Sequence, residues 1–269
     1  AGAMYALDPD IHRVQERVVE YLTSAEFQQF QQRMAGSGSS DGSSHSHKDD
    51  SVWNRLKNFL RANYHCQQAV LKPSILTGEV LQHAVDHLLP DADLADALIP
   101  TSIVAVDLLA GERVVLDRGP VRDAVRASSS IPGVFPAVAW GDRLLCDIGT
   151  HISLPTLATR EHSSGCLIAV DVSSELEPLE ECLSAVDVLV RMNNISENLF
   201  RRRVSEVADA VIRPAVGGIE WFDFSSPQRV IKLGRVAVAE SLETVTAACC
   251  TNSPGSPAPL TDEMLRGLD

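Results

Sequence analysis

The chain has 269 residues, 45% of them hydrophobic, and a formal net charge of −13. This composition suits one large folded domain, or a domain with an appendage. The negative charge argues against nucleic-acid binding, because a protein that binds nucleic acid needs a basic surface to displace counterions from phosphates. The compact basic run Arg201-Arg202-Arg203 is interpreted as a solvated helix face rather than a lipid-headgroup site.

The six cysteines lack the C-x-x-C spacing of many metal and redox sites. They are Cys66, Cys146, Cys166, Cys182, Cys249 and Cys250. A chain of this length and apolar content does not need disulfide bonds for stability, so we expect reduced thiols and a cytoplasmic location. No run of about 18 apolar residues is present, so the sequence predicts no membrane-spanning helix.

The first part of the chain is predicted to be helical, with one polar interruption. Apolar residues recur at helical spacing over residues 10–34, and Thr23-Ser24 divides this region into two helices. Residues 36–50 (GSGSSDGSSHSHKDD) are polar and rich in Gly and Ser, which predicts a flexible insertion. Further helices are predicted over residues 51–64 and over residues 77–89, the second with Thr77 as its N-cap and Pro90 as its stop.

Short β-branched runs follow. Residues 102–106 and 113–116 are predicted to pair as strands around the turn at Ala110-Gly111. The next predicted elements are a helix at 121–129, a strand at 143–146 that leads into a loop, and a helix at 154–160.

Residues 166–172 are continuously apolar, which predicts a strand buried on both faces of a layered α/β sheet. The elements predicted after it are helices at 179–198 and 199–208, a strand at 210–214, a helix at 228–242 and a disordered tail at 247–269. Alternating buried strands and helices predict an α/β fold with helices on both faces of the sheet. We divide the chain into a main part at 1–161, a continuation of the same fold at 162–246, and the tail.

The chain begins with Ala1-Gly2-Ala3 and passes directly into a helix-compatible segment. The second half of a G-x-S-x-G nucleophile elbow has this pattern, because small residues let a strand turn sharply into a helix and expose a serine. Three small residues carry little information alone, so their meaning depends on the motifs downstream.

A set of motifs occurs downstream in one order and with close spacing. It comprises R-A-S-S-S-I-P-G-V-F-P over residues 126–136, then Asp147-Ile148-Gly149, then Leu154-Pro155. The set resembles the bacterial patatin-like phospholipases, in which an Asp-Gly-Gly or Asp-Gly-Ala loop supplies the catalytic aspartate and a proline follows eight residues later, as Pro155 follows Asp147. Residues 211–214 and 219–224 resemble the branch of that family that includes neuropathy target esterase.

The resemblance implies a three-layer α/β/α patatin-like fold and a serine–aspartate dyad that hydrolyses lipid esters through an acyl-enzyme. Asp147 is then the dyad aspartate, Gly149 a motif glycine, and Ala1 and Gly2 the last two positions of the elbow. We therefore expect a chain that is truncated at its N-terminus. The serine and the glycine-rich oxyanion loop are expected upstream of Ala1, and the truncated chain is expected to be inactive.

The resemblance also suggests how the substrate is held. The substrate-pocket candidates come from the 126–136 motif and are Ile131, Pro132, Gly133, Phe135 and Pro136. The expected partner is a lipid ester substrate, reached through peripheral contact with a membrane. No cofactor and no metal are expected.

One residue departs from the family pattern. Ile148 stands where the family usually has glycine, and a β-branched residue resists positive φ and close approach of another backbone. This departure keeps open an alternative function, a non-catalytic pseudo-hydrolase that binds lipid or a protein partner.

Three other groups of residues offer rival sites. The serines at 128–130 lack flanking elbow glycines and are interpreted as making helix-end hydrogen bonds. His83 and His87 are spaced like the ligands of a zinc helix, but the glutamate expected after the first histidine is absent, so a solvated helix face is favoured. His151 lies close to Asp147 in sequence and offers a serine–histidine–aspartate triad, which the family does not use.

Overall fold

The fold is described from a computed structural model. The structure describes residues 1–36, 74, 76–149, 152–162, 165–179, 181, 184–219 and 223–251. The predicted helix at 51–64, nearly all of the 36–50 tract, His151 and the chain after residue 251 lie outside these residues. The chain forms two compact units: the first contains Ala1–Ile148 with Ile219–Gln228, and the second contains Gly149–Gly218 with Arg229–Asp269.

The first unit begins with three helices, α1 (Gly2–Leu7), α2 (Ile11–Thr23) and α3 (Ala25–Gly36). The side chain of Asp10 caps α2 by accepting hydrogen bonds from two backbone N–H groups of its first turn. The hydroxyl oxygen of Ser24 accepts from the backbone N–H of Phe27, 3.2 Å away. The predicted break between the two helices at Thr23-Ser24 is therefore confirmed.

Helix α4 (Glu79–Leu88) begins later than the sequence predicted. Thr77 is not its N-cap, because the cap is Gly78 and no side chain bonds to the first turn. A Cβ added at Gly78 would lie 3.2 Å from Cγ of Pro136, a tight contact. Glycine is therefore favoured at position 78 because Pro136 packs closely against it. No hydroxyl caps this end of the helix.

A four-stranded antiparallel sheet follows, in the order β2-β1-β4-β3. Its strands are β1 (Ile103–Asp107), β2 (Glu112–Leu116), β3 (Val138–Trp140) and β4 (Arg143–Cys146). Strands β1 and β2 form the predicted hairpin, with Ala105 opposite Val114 and Gly111 at a φ of 72° in the turn. The strand predicted at 143–146 is β4, whereas β3 was not predicted.

Helix α5 (Val121–Ser128) packs its small side chains against this sheet. Val121, Ala124 and Ala127 are fully buried at the i, i+3 spacing of one helix face. They belong to the same core cluster as Ala105 of β1 and Leu145 of β4. Small residues let the backbone of α5 approach the strands closely, and this holds the end of α5 near the end of β4.

Among its described residues, the second unit contains a parallel pair of strands and three helices. These are α6 (Thr156–His162), β5 (Ile168–Val170), α7 (Ala185–Ser205), β6 (Ala210–Ile212) and the helix α8 (Pro227–Thr251), which begins in the first unit. Strands β5 and β6 pair with Ala169 opposite Val211. A small core of Leu154, Ala169 and Val204 joins α6, β5 and α7.

None of the helices in the described ranges has the length and hydropathy needed to cross a membrane.

Three predictions in the second unit are wrong. The strand at 166–172 is shorter, and it is not buried on both faces, because Ile168 and Val170 are 39% and 53% exposed. The two helices predicted between 179 and 208 are one helix, α7, which begins at a capping box formed by Ser184 and Asp187. The last helix does not end at residue 242 but continues to Thr251, through the first residues of the predicted tail.

A buried ion pair lies where α7 meets the end of β5. Arg201 Nη1 lies 2.8 Å from Asp171 Oδ2, and the two side chains are 5% and 1% exposed. The predicted solvated face for residues 201–203 is therefore wrong for Arg201. The prediction failed because a basic run alone does not reveal that a buried carboxylate, thirty positions away, requires a cation.

We expect Arg201→Met to destabilise the protein by about 3 kcal/mol, because the buried Asp171 carboxylate then keeps only Arg213, 3.4 Å away and largely exposed, as a cationic partner. Arg202→Met is the matched control, since Arg202 pairs with Glu175 on the surface and both side chains are largely exposed; its cost should stay below about 1 kcal/mol. Urea unfolding of both variants measures these free energies. Equal costs would contradict the importance assigned to the buried pair.

The effect should depend on pH in a defined direction. Burial raises the pKa of Asp171, but hydrogen bonds from Ser173 and Arg201, with the charge of Arg201, outweigh burial and lower it overall. A lowered carboxyl pKa stabilises the fold above the unfolded value of about 3.9, and this stabilisation is lost as the pH falls through the folded pKa. The difference in unfolding free energy between the wild type and Arg201→Met should therefore shrink on acidification, and a constant difference would contradict an ionised Asp171.

Candidate active site

Asp147 immediately follows β4 and is held there through its backbone. Its N–H donates to the carbonyl of Ser130, 3.0 Å away, so the loop that carries the carboxylate is tied to the end of α5. Asp147 is half-buried, while the preceding Cys146 is 1% exposed. Burial raises the pKa of the Cys146 thiol, and the negative charge of Asp147 raises it further. The strand end therefore presents a carboxylate at the edge of the core.

The nearby serine hydroxyls donate to backbone carbonyls. Ser128 Oγ donates to the carbonyl of Val104, and Ser130 Oγ donates to the carbonyl of Arg126, each over 2.8 Å. Ser130 is also 1% exposed. The Ser130 contact is the predicted kind of helix-end hydrogen bond, whereas the Ser128 hydroxyl joins the end of α5 to β1.

The Ile148 side chain is buried, at 9% exposed. The isoleucine at the motif-glycine position therefore packs into the protein, directly after the aspartate. Gly149, the other motif glycine, is half-buried and begins the second unit. Asp147 and Ile148 therefore belong to the first unit, and Gly149 belongs to the second.

A cavity of about 400 Å³ lies in the first unit, between the start of α4 and the segment that follows α5. This volume is in the range of pockets that hold small ligands. Residues from three segments line the cavity: Gly78, Glu79, Leu81, Gln82, Arg126, Ser130, Phe135, Pro136, Ala137, Val138 and Ala139. Ser130 also accepts the hydrogen bond from the Asp147 N–H, so this residue connects the cavity to the aspartate loop.

The five pocket candidates differ in position. Phe135 and Pro136 line the cavity, whereas Ile131, Pro132 and Gly133 are not among its lining residues. The carbonyl of Ile131 accepts hydrogen bonds from the N–H groups of Val134 and Phe135, which makes a tight turn with Gly133 at a φ of 79°. This turn directs the chain toward the cavity.

Arg126, the first residue of the R-A-S motif, lines the cavity but was not among the pocket residues predicted from the sequence. Its guanidinium contacts the side-chain oxygen of Gln82 and forms an ion pair with Asp123 over 3.0 Å. Leu81 and Gln82 were also missed, because helical periodicity shows that a face exists but not what lies opposite it.

Helix α1 starts at Gly2 with Ala1 as N-cap, and no side chain caps it. Met4 of α1 and Leu145 of β4 belong to one core cluster. The helix predicted at the start of the chain is confirmed, and its approach to the Asp147 carboxylate stays a prediction.

The rival histidine sites have other surroundings. His83 and His87 are exposed, and both rings lie beside Tyr21, with centroids 6.2 and 4.9 Å away. His83 Nε2 also lies 3.4 Å from the carboxylate of Glu26. Within the described part of the chain, no group of three or more His, Cys, Asp or Glu side chains is arranged to hold a metal ion.

Comparisons with known proteins place these features in a family. The family described as patatin-like phospholipase matches residues 1–159, more than half of the chain. An uncharacterised NTE family protein of Mycobacterium tuberculosis is 27% identical over 164 residues, which cover 52% of this chain and 28% of the relative. A second one from Mycobacterium bovis is 36% identical over 108 residues, which cover 40% of this chain and 30% of the relative.

The matched segments span less than a third of the length of these relatives. The family match includes α1, the 126–136 motif, Asp147 and Pro155, which are the features that carried the resemblance. The α/β fold class is also the one that the family has. This chain belongs to the patatin-like phospholipase family, with NTE family proteins among its relatives.

Proposed function

We propose that the full-length protein is a lipid acyl hydrolase with a serine–aspartate dyad, and that this chain supplies the aspartate, Asp147. The nucleophilic serine is proposed to lie immediately before Ala1. The observation that carries the proposal is the position of Asp147, half-buried at the end of β4 and tied by its N–H to Ser130 of the family motif. Family membership supports lipid hydrolase activity in general.

The proposed chemistry follows from a carboxylate beside a hydroxyl. The Asp147 carboxylate accepts the serine proton as the serine oxygen attacks the ester carbonyl. The ester C–O bond then breaks, and the proton passes from Asp147 to the leaving oxygen, which gives an acyl-enzyme and an alcohol. In the second step Asp147 takes a proton from the water that attacks the acyl-enzyme and returns it to the serine oxygen as the fatty acid leaves. The backbone N–H groups that stabilise the oxyanion are proposed to come from a glycine-rich segment upstream of Ala1.

Helix α1 supports the proposed place of the serine. Ala1 and Gly2 are small, as the two positions after the serine of a nucleophile elbow usually are. Met4 anchors the helix in the core that also contains Leu145, two residues before Asp147. The shared core favours a short distance between a serine at the start of α1 and the carboxylate.

The cavity is proposed to hold the acyl chain of the substrate. Leu81, Phe135, Pro136 and Val138 give it an apolar lining, and Ser130 links it to the aspartate loop. Apolar pockets with a few polar groups are typical of sites for small lipophilic ligands. A phospholipid or lysophospholipid is the proposed substrate class.

A non-catalytic role is the second candidate, and the buried side chain of Ile148 favours it. A bulky residue in the place of the motif glycine changes how the loop is packed next to Asp147. In that case the protein binds lipid or a protein partner without hydrolysing an ester.

Asp147→Asn separates the two candidates. In the protein extended by its natural upstream residues, we expect this variant to lower the hydrolysis of a short-chain nitrophenyl ester by a factor of about 100 or more, the usual cost of losing a general base. Asp142→Asn, in the exposed turn between β3 and β4, is the matched control and should keep the wild-type rate. The chain that starts at Ala1 should show no turnover.

Two outcomes would contradict the dyad. If the extended protein hydrolyses the ester and Asp147→Asn keeps its rate within a factor of about two, then another residue is the base, and His151→Ala tests the triad alternative. If the extended protein contains the serine and shows no hydrolysis of any acyl ester, the non-catalytic role is supported instead.

The acyl-chain pocket gives a second prediction. Phe135→Ala should lower kcat/KM for a long-chain ester about tenfold relative to a short-chain ester, because the variant removes apolar contact from the cavity. Ile131→Ala is the control, since Ile131 does not line the cavity. Equal effects of the two variants at all chain lengths would argue that the acyl chain binds elsewhere.

We also propose a cytoplasmic location with peripheral contact to membranes that present the substrate. The net charge of −13 opposes attraction to anionic lipid. Co-sedimentation of this chain with phosphatidylcholine vesicles should therefore not increase when phosphatidylserine is added. A marked increase would show that a local basic surface directs membrane binding.

A further inference from the structure

Two cysteine thiols meet in the second unit, far apart in sequence. The sulfurs of Cys166 and Cys249 are 2.8 Å apart, and the residues are separated by 83 positions. Cys166 lies just before β5, and Cys249 lies in the last turns of α8. Both are free thiols in this structure. A disulfide has a bond length near 2.05 Å, so the sulfurs need to approach by less than about 1 Å to bond.

We propose that Cys166 and Cys249 form a reversible disulfide that ties the end of α8 to the start of β5. This modification is independent of the proposed hydrolase function. Formation of this disulfide requires an oxidant, which is a small-molecule disulfide such as oxidised glutathione.

The segment around Cys166 is held in place on both sides. Arg160 donates to the carbonyl of Gly165, the residue before Cys166, over 3.0 Å. Asp209 accepts from the N–H of Leu167, the residue after it, over 2.7 Å, and Arg160 and Asp209 are themselves an ion pair at 2.8 Å. The ion pair therefore fixes the backbone on either side of the thiol and keeps Cys166 facing its partner.

Exposure decides which sulfur reacts first. Cys249 is exposed and Cys166 is half-buried, so the oxidant reaches Cys249 more easily. The hydrogen bond with Cys249, then burial, raises the pKa of Cys166 to about 11. Only the thiolate form of a cysteine attacks a disulfide, so the raised pKa of Cys166 delays its attack and leaves the first exchange to Cys249.

The reaction balances in two exchange steps. The Cys249 thiolate attacks the small-molecule disulfide, forms a mixed disulfide and releases one small thiolate, which takes up a proton. Cys166 then loses its proton and attacks Cys249 Sγ, and the second small thiol leaves. In total, two protein thiols are oxidised to one disulfide and one small-molecule disulfide is reduced to two thiols.

Cys250 provides a matched control within the same helix. It is exposed and adjacent to Cys249, but successive residues of an α-helix point about 100° apart, so it should not face Cys166 in the same way. Any oxidation that depends only on exposure would involve Cys250 as much as Cys249.

The test is to incubate the whole purified chain with oxidised glutathione and to analyse unreduced tryptic peptides by tandem mass spectrometry. We expect a cross-linked peptide with Cys166 joined to Cys249. The link should persist in Cys250→Ser, disappear in Cys166→Ser and in Cys249→Ser, and be reversed by dithiothreitol. Its formation should be faster at pH 9 than at pH 7, because Cys166 must lose its proton.

Thermal unfolding gives a second readout. Closing a loop of this length should raise the Tm of the oxidised wild type by about 5 °C or more, and Cys166→Ser should abolish the increase. A link from Cys166 to Cys250, a link through Cys66 or Cys182, or glutathione on Cys249 with no cross-link would each overturn the proposal.

Discussion

One backbone hydrogen bond, from the Asp147 N–H to the Ser130 carbonyl, determines the geometry on which the proposed site depends. On one side, Ser130 Oγ donates to the carbonyl of Arg126, which fixes the end of α5. On the other side, Cys146 pairs with Val106 of β1, which fixes the end of β4. The end of α5 and the end of β4, which share one core, therefore hold the aspartate loop in position.

The buried carboxylates that stabilise the fold have a different environment from Asp147. Asp107, 4% exposed, accepts hydrogen bonds from the N–H groups of Leu109 and Leu144. Burial raises its pKa, but these backbone bonds outweigh burial and lower the pKa overall. Asp171 is satisfied by Arg201 and Ser173. Asp147 is more exposed than either, and the catalytic role proposed for it requires this exposure.

Local patterns predicted much of the fold correctly. The break between α2 and α3, the β1–β2 hairpin and the strand before Asp147 each depend on neighbours in sequence, such as the turn glycine Gly111 with positive φ. The errors involve distant partners. The helix cap is Gly78, where Pro136 leaves little room for a side chain, and Arg201 is buried beside a carboxylate from another segment. Periodicity carries no information about such partners.

The motif of the family predicted one wall of the candidate site, but not the other. Phe135 and Pro136 belong to the motif, whereas Leu81 and Gln82 come from α4, earlier in the chain and outside the motif. Under the proposed function, chemistry and acyl-chain selection would therefore depend on different segments: the aspartate loop is held by α5 and β4, while α4 forms the opposite side of the cavity. Substitutions on α4 can alter the volume and polarity of the cavity without changing the hydrogen bond that holds Asp147. If the cavity binds the acyl chain, relatives with the same motif can differ in chain preference through α4 alone.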